Sequence, residues 1–281
     1  MRIINLIEDT NGVDGCAFLH GLSFYIETGD HKILFDLGPS ADTLQNAGSL
    51  GVDPGSVDTV ILSHGHYDHS GGIIPFAGLN KTAVIIMQKN ATDDFYSDKG
   101  AGENDRYRYI GIDKSIADLA QARMITGDLK IDDGLSLFVM DDHEGIIPFT
   151  NRILMRRDKD EYVRDDFTHE QFLVVREGDV SVLFSGCAHS GIVNIMREYK
   201  RKFASEPDIV VSGFHLKKKT DYTADERKEI EDMAKELMSY RSVFYTCHCT
   251  GLPAFDIMKQ IMKERLKYVH SGYEINFPVA D

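Results

Sequence analysis

Short apolar runs set off by polar and glycine positions mark the first third of the chain as strands with short connections. Residues 22–27 and 32–36 read this way. Residues 59–63 open with Thr59-Val60-Ile61-Leu62, a continuous apolar run of the kind that a strand buried on both faces shows. The opening residues through Ile7 read as a first strand, and residues 41–48 fit a short helix stopped at Gly48. Regular order returns late in the chain. Residues 171–177 and 180–185 predict two strands joined by the turn Gly178-Asp179, then a helix over 192–203 and a strand over 208–212. A helix over 224–239 starts on the capping-box pattern Thr223-Ala-Asp-Glu226. Strand 242–246 and helix 254–265, with Pro253 at its first turn, complete the series. Between these regions, residues from about 88 to 168 are rich in Asp, Arg, Tyr and Gly and weak in period. They predict an insertion with strands near 123–126 and 136–140 and loops over the active face. Strands alternating with helices, without long linkers, indicate one α/β domain over residues 1–281.

Composition narrows the class. Hydrophobic content of 42% and charged content of 27% suit a soluble globular protein, and no apolar run is long enough to span a membrane. The first nine residues reach Glu8 and Asp9 after a very short apolar stretch, without the apolar core and cleavage site of a signal peptide. Four cysteines, Cys16, Cys187, Cys247 and Cys249, are too few for a disulfide framework, so a reduced cytoplasmic setting is expected. A formal net charge of −14 argues against nucleic-acid or anionic-membrane partners. It leaves an anionic small-molecule substrate open, because bound cations invert the local field.

The chemistry concentrates in Ser63-His64-Gly65-His66-Tyr67-Asp68-His69-Ser70-Gly71-Gly72, where three of the chain's 11 histidines fall within six residues. The segment follows a buried-type strand, where α/β proteins place ligand sites. Imidazoles with a carboxylate suit zinc, iron, manganese or cobalt better than calcium or magnesium. His64 and His66, two apart in extended chain, point to one side, and a turn through Tyr67 lets Asp68 and His69 aim at a neighbouring point. Gly65, Gly71 and Gly72 supply permissive backbone for that turn. A solvated His-rich loop or a structural zinc is the bland alternative, but structural zinc usually wants four closed ligands, often thiolates.

His-x-His-x-Asp-His after an apolar strand resembles the signature of the metallo-β-lactamase superfamily. Phe35-Asp36-Leu37-Gly38 is similar to the Asp-x-Gly turn that precedes it there. With His20-Gly21-Leu22-Ser23, Gly186-Cys187-Ala188-His189-Ser190-Gly191, Gly213-Phe214-His215-Leu216 and His248-Cys249-Thr250-Gly251, the chain looks like one subgroup in particular. That subgroup is named after the archaeal dihydropterin–ribofuranosylaminobenzene-phosphate synthase, and many of its members are called metal-dependent hydrolases. The resemblance implies a four-layer αββα sandwich and two divalent transition-metal ions, zinc first, with iron or manganese as alternatives.

Four ligands cannot close two metal sites. His189, between a strand and a helix, is expected at the same edge as His64. The resemblance adds His248, where the superfamily supplies its last histidine. It also places Cys187 where the commonest pattern has a bridging Asp, so Cys187 is either a soft-metal ligand or a small buried residue beside His189. His169, 18 residues before Cys187, fits a second alignment in which it is the ligand and His189 faces substrate. His215 is a ligand or a substrate donor. The basic triplet Lys217-Lys218-Lys219 after it either holds a phosphate or is a solvated approach loop. His20 is expected to contact substrate. Cys247 and Cys249 would alternate away from His248 on a strand, and His31, His143 and His270 have no companions.

Two divalent ions sharing a water bring its pKa toward neutrality and polarise the bond being cleaved. Asp68 would bind one metal and orient the nucleophile, or accept its proton. Hydrolysis of an ester or phosphoester-type small molecule is the leading expectation. The alternative implied by the subgroup is a transferase joining a pterin diphosphate to a phosphorylated aryl riboside, with Tyr96, Tyr107 and Tyr109 suggesting an aromatic substrate. A di-iron redox enzyme ranks lower, because such relatives usually carry a flavodoxin domain for which 281 residues leave no room. A nuclease is disfavoured by the acidic charge.

Overall fold

The strand Thr59–Ile61 is buried along its whole length, as its continuous apolar run requires, and a sheet grows on both sides of it. The computed structural model describes residues 1–142 and 147–275, so His143 lies outside the described residues. The strand order is Glu274–Ile275, Arg2–Ile7, Ser23–Glu27, Lys32–Phe35, Thr59–Ile61, Val84–Gln88 and Ala122–Ile125. Pairings are antiparallel up to Lys32–Phe35 and parallel beyond it. Helices Asp42–Ser49 and Ile73–Leu79 cover this sheet through Ala47, Ile73 and Phe76, which join Leu34, Val60 and Ile85 in one core. The first helix does not stop at Gly48. It continues through Ser49, and Gly51 takes the left-handed φ of 74°.

These elements make one compact unit, formed by Met1–Thr92, Ile112–Thr126 and the chain from Val269. A second unit comprises Asp93–Gly111 and Gly127–Tyr268. Its main sheet runs Leu266–Tyr268, Val243–Thr246, Ile209–Ser212, Val180–Ser185, Phe172–Glu177, Leu135–Phe138 and Leu129–Lys130. The strands from Val180–Ser185 to Leu266–Tyr268 pair in parallel, and the others are antiparallel. Helices Ile192–Phe203, Ala224–Leu237 and Leu252–Met262 bury Met196, Tyr199, Ile230 and Met258 against Phe138, Phe172 and Phe244. The capping box is formed: Thr223 Oγ1 accepts from Glu226 N, and Glu226 Oε2 accepts from Thr223 N.

The weakly patterned segment from 88 to 168 is shared out. Residues Ile112–Thr126 belong to the first unit, whose edge strand is Ala122–Ile125. In the second unit, Glu161–Arg164, Leu154–Asp158, Phe95–Asp98 and Tyr107–Tyr109 form a four-stranded antiparallel sheet. Its tyrosines pack on one another: Tyr107 stacks on Tyr162 at 3.8 Å, and Tyr96 meets Tyr109 and Tyr162 edge-on. Among the described residues no helix is long and apolar enough to cross a membrane.

Candidate metal centre

In the first unit, the chain leaves Thr59–Ile61 and bends at His64 and Gly65, where His66 N donates to His64 O at 3.1 Å, before His66 caps the short helix Tyr67–Ser70 with φ −105° and ψ 148°. The extended chain expected between His64 and His66 is a tight turn instead, and that turn followed at once by a helical one brings the side chains together. The His64 ring lies 4.6 Å from that of His66 and 4.2 Å from that of His69. Asp68 Oδ2 is 3.8 Å from His69 Nε2, and all four residues are buried.

Asp36 organises this cluster. Its carboxylate accepts from Ser63 N at 2.7 Å, from Ser63 Oγ at 2.7 Å and from His69 Nδ1 at 2.6 Å. Because the Ser63 hydroxyl donates to Asp36, its oxygen accepts from His64 Nδ1, 2.8 Å away. Both His64 and His69 therefore carry their proton on Nδ1 and turn a basic Nε2 toward the cluster, the tautomer a metal ligand needs. Asp36 holds this position at a left-handed φ of 59°. Gly71 is required here for another reason than a special dihedral, since its φ is −62°. A Cβ there would lie 2.0 Å from Pro39 O, so only glycine lets the two backbones meet. His20 stands beside the cluster, with Nε2 3.4 Å from Asp68 Oδ2 and Nδ1 3.0 Å from Asp9 Oδ2.

In the second unit, the parallel strands Val180–Ser185, Ile209–Ser212 and Val243–Thr246 end side by side. Cys187 and His189 follow the first, His215 the second, and His248 and Cys249 the third, so the carboxyl edge collects the donors. One ligand atom each of Cys187, His248 and Cys249 lies within 4.8 Å of the others. His189 stacks on Phe167 at 4.9 Å, with its ring 4.2 Å from that of His215. Asn151 clasps His189 from both ends: its Nδ2 donates to His189 O, and its Oδ1 is 3.1 Å from His189 Nδ1. Glu170 accepts from His189 N and Ser190 N. Burial pushes its carboxyl up against the pull of those amides. His215 is fixed by Thr150 Oγ1, 2.8 Å from its Nδ1. His169 is held by Asp165 at 3.2 Å and packs on Phe95. His31 and His270 take structural partners, Asp58 and Thr10.

Cys249 departs from the alternation expected of a strand. The strand ends at Thr246, and His248–Thr250 is a turn of 3-10 helix, which brings Cys249 Sγ round to the His248 side. Sequence reasoning also assigned no role to Asp9, Asn151, Asp165 or Glu170. Asp9, Asn151 and Glu170 act across 11, 38 and 19 residues of sequence, whereas Asp165 reaches His169 only four residues on, within a loop that carries no periodic signal.

The chain belongs to the metallo-β-lactamase superfamily, whose model matches residues 17–235. It is 31% identical over 278 residues to an uncharacterized protein of Methanocaldococcus jannaschii, covering 96% of this chain and 98% of that one. To the 7,8-dihydropterin-6-methyl-4-(β-D-ribofuranosyl)-aminobenzene-5'-phosphate synthase of the same organism it is 27% identical over 294 residues, covering 99% and 97%. The crystal structure of Tm1679, described as a metal-dependent hydrolase of the β-lactamase superfamily, aligns over 100% of both chains with a TM-score of 0.82 and 31% identity. This fold implies divalent metal binding, and the donors fit: buried imidazoles in the Nδ1–H tautomer with a carboxylate suit a transition metal.

Proposed function

We propose that this chain is a metal-dependent hydrolase of an ester or phosphoester-type small molecule. Its proposed cofactor is two divalent transition-metal ions, zinc first and iron or manganese as alternatives. The proposed ligands are His64, His66, Asp68 and His69, with His189 and His248; Cys187 and His169 are the further candidates. The observation that carries the reading is the Asp36–Ser63 network, which fixes two buried imidazoles in the ligating tautomer. When bound, such ions supply a nucleophile at neutral pH and polarise the scissile bond.

The chain's own residues do the rest. Asp68 orients the nucleophile or takes its proton, and its 3.4 Å approach to His20 Nε2 gives that proton a next stop. Asp9 sets the His20 ring for contact with substrate. A cavity of about 320 Å³ whose lining includes Lys218, Lys219, Asp221, Tyr222 and Arg227 supports a phosphorylated substrate, since its cations outnumber its one carboxylate. Lys218 is engaged by Glu226 at 2.6 Å, so Lys219 and Arg227 would carry the attraction. Replacing both by alanine should raise KM for phosphorylated substrates about tenfold with kcat little changed, the signature of lost uniform binding. An unchanged KM would remove the phosphate handle from this cavity.

A second reading is transfer of a pterin diphosphate to a phosphorylated aryl riboside, favoured by the near full-length likeness to the synthase. A panel of phosphodiester, phosphomonoester and lactone substrates, offered to metal-loaded protein, separates the two. Turnover of one class supports hydrolysis. Metal-loaded protein silent on all of them, but forming product from the pterin and riboside pair, would replace it.

A further inference from the structure

We propose that Cys249 is a metal ligand, making Cys187, His248 and Cys249 a site of two thiolates and one imidazole for a soft divalent cation. This rests on the reading of the chain as a metalloprotein: it adds Cys249 beside the proposed ligand His248 and decides for Cys187, which that reading held as a further candidate.

The three donor atoms lie within 4.8 Å of one another, and their residues are 3%, 0% and 5% exposed. Two thiolates on one tetrahedral zinc at about 2.3 Å stand about 3.8 Å apart, a spacing these loops reach by moving about an ångström or less. The position of Cys249 is imposed on it. Leu216 N and Lys217 N both donate to Cys249 O, at 2.9 and 2.8 Å. Phe214 N donates to Thr250 Oγ1 at 2.8 Å, tying the next residue to the same loop. His248 takes a left-handed φ of 51° to complete the turn, a conformation costly for a residue with a side chain.

The neighbouring strand end also makes room for the sulfur. A Cβ on Gly213 would lie 2.5 Å from Cys249 Sγ and 3.1 Å from Gly186 O. Cys249 Sγ lies 3.7 Å from Cys187 O, a weak S–H···O contact that metal binding would exchange for a metal–sulfur bond with release of the proton. Buried thiolates are stable only against a cation, and two of them favour zinc, cadmium or cobalt(II) over manganese or magnesium.

The test uses full-length protein stripped of metal and reloaded with cobalt(II) or zinc. Cobalt-loaded wild type should show a thiolate-to-metal charge-transfer band, which falls to roughly half in Cys187→Ser and again in Cys249→Ser, one of two thiolates being lost in each. Zinc-loaded wild type should show sulfur scatterers at about 2.3 Å in X-ray absorption, a readout that needs no variant. Circular dichroism confirms that each variant folds. Full cobalt binding with a wild-type band in Cys249→Ser, or a Cys187–Cys249 disulfide in the isolated protein, overturns the assignment while leaving the metalloprotein reading intact. Reloaded wild type that binds no metal brings both down.

Discussion

Replacing His66 and Asp68 together by alanine is expected to abolish metal-dependent turnover, by about three orders of magnitude or more, in a protein that still folds. The metals of such a site stabilise the transition state by several kcal/mol, and each 1.36 kcal/mol is tenfold in rate. His66 presents an imidazole at the helix cap, and Asp68 a carboxylate 3.8 Å from His69 Nε2, so the double variant removes half of the local donor set. The fold should survive, because the hydrogen bonds that shape the segment run through Asp36, Ser63, His64 and His69. The loss from truncating two buried side chains is on the order of 2–4 kcal/mol. Steady-state rates, bound metal and far-ultraviolet circular dichroism check the three parts. A variant with wild-type activity and metal content would refute the ligand assignment.

The second large effect is expected at a residue that touches no substrate. Asp36→Ala strips the acceptor from three buried donors, Ser63 N, Ser63 Oγ and His69 Nδ1. Each orphaned donor costs about 1–3 kcal/mol, so a loss of about 3–5 kcal/mol is expected after partial relaxation. In melting temperature that is on the order of 10 °C for a chain of this length. Metal affinity should fall roughly 10- to 100-fold as well, since His69 loses the partner that sets its tautomer. Asp36→Asn keeps the shape and one acceptor oxygen, and asparagine tolerates the φ of 59°, so it should lose less on both counts. Melting curves and metal titrations of the two variants give the ranking. Asp36→Ala with wild-type stability and affinity would show that the network is incidental.

What the sequence revealed follows the range of its signals. His64, His66, Asp68 and His69 sit on one continuous segment, so spacing alone brought them together, and the buried strand Thr59–Ile61 announced where that segment starts. The helix Ala224–Leu237 was legible because its cap is local chemistry. The sheet that contains Tyr107–Tyr109 and Glu161–Arg164 was not. These two edge strands are only partly buried, and Tyr107-Arg108-Tyr109 and Glu161-Tyr162-Val163-Arg164 show no alternation of apolar with polar residues. The direction of Cys249 was misjudged because a 3-10 turn replaces the strand that alternation assumes. Gly71 was placed correctly but for the wrong reason: it answers the carbonyl of Pro39, 32 residues away in sequence (71 − 39), which no local reading shows.

Metal content measured beside turnover, before and after exhaustive chelation and again after zinc is restored, tests the central claim most directly. Activity that disappears with about two metal equivalents per chain and returns with them is the expected result. Full activity in protein proven free of metal would contradict it.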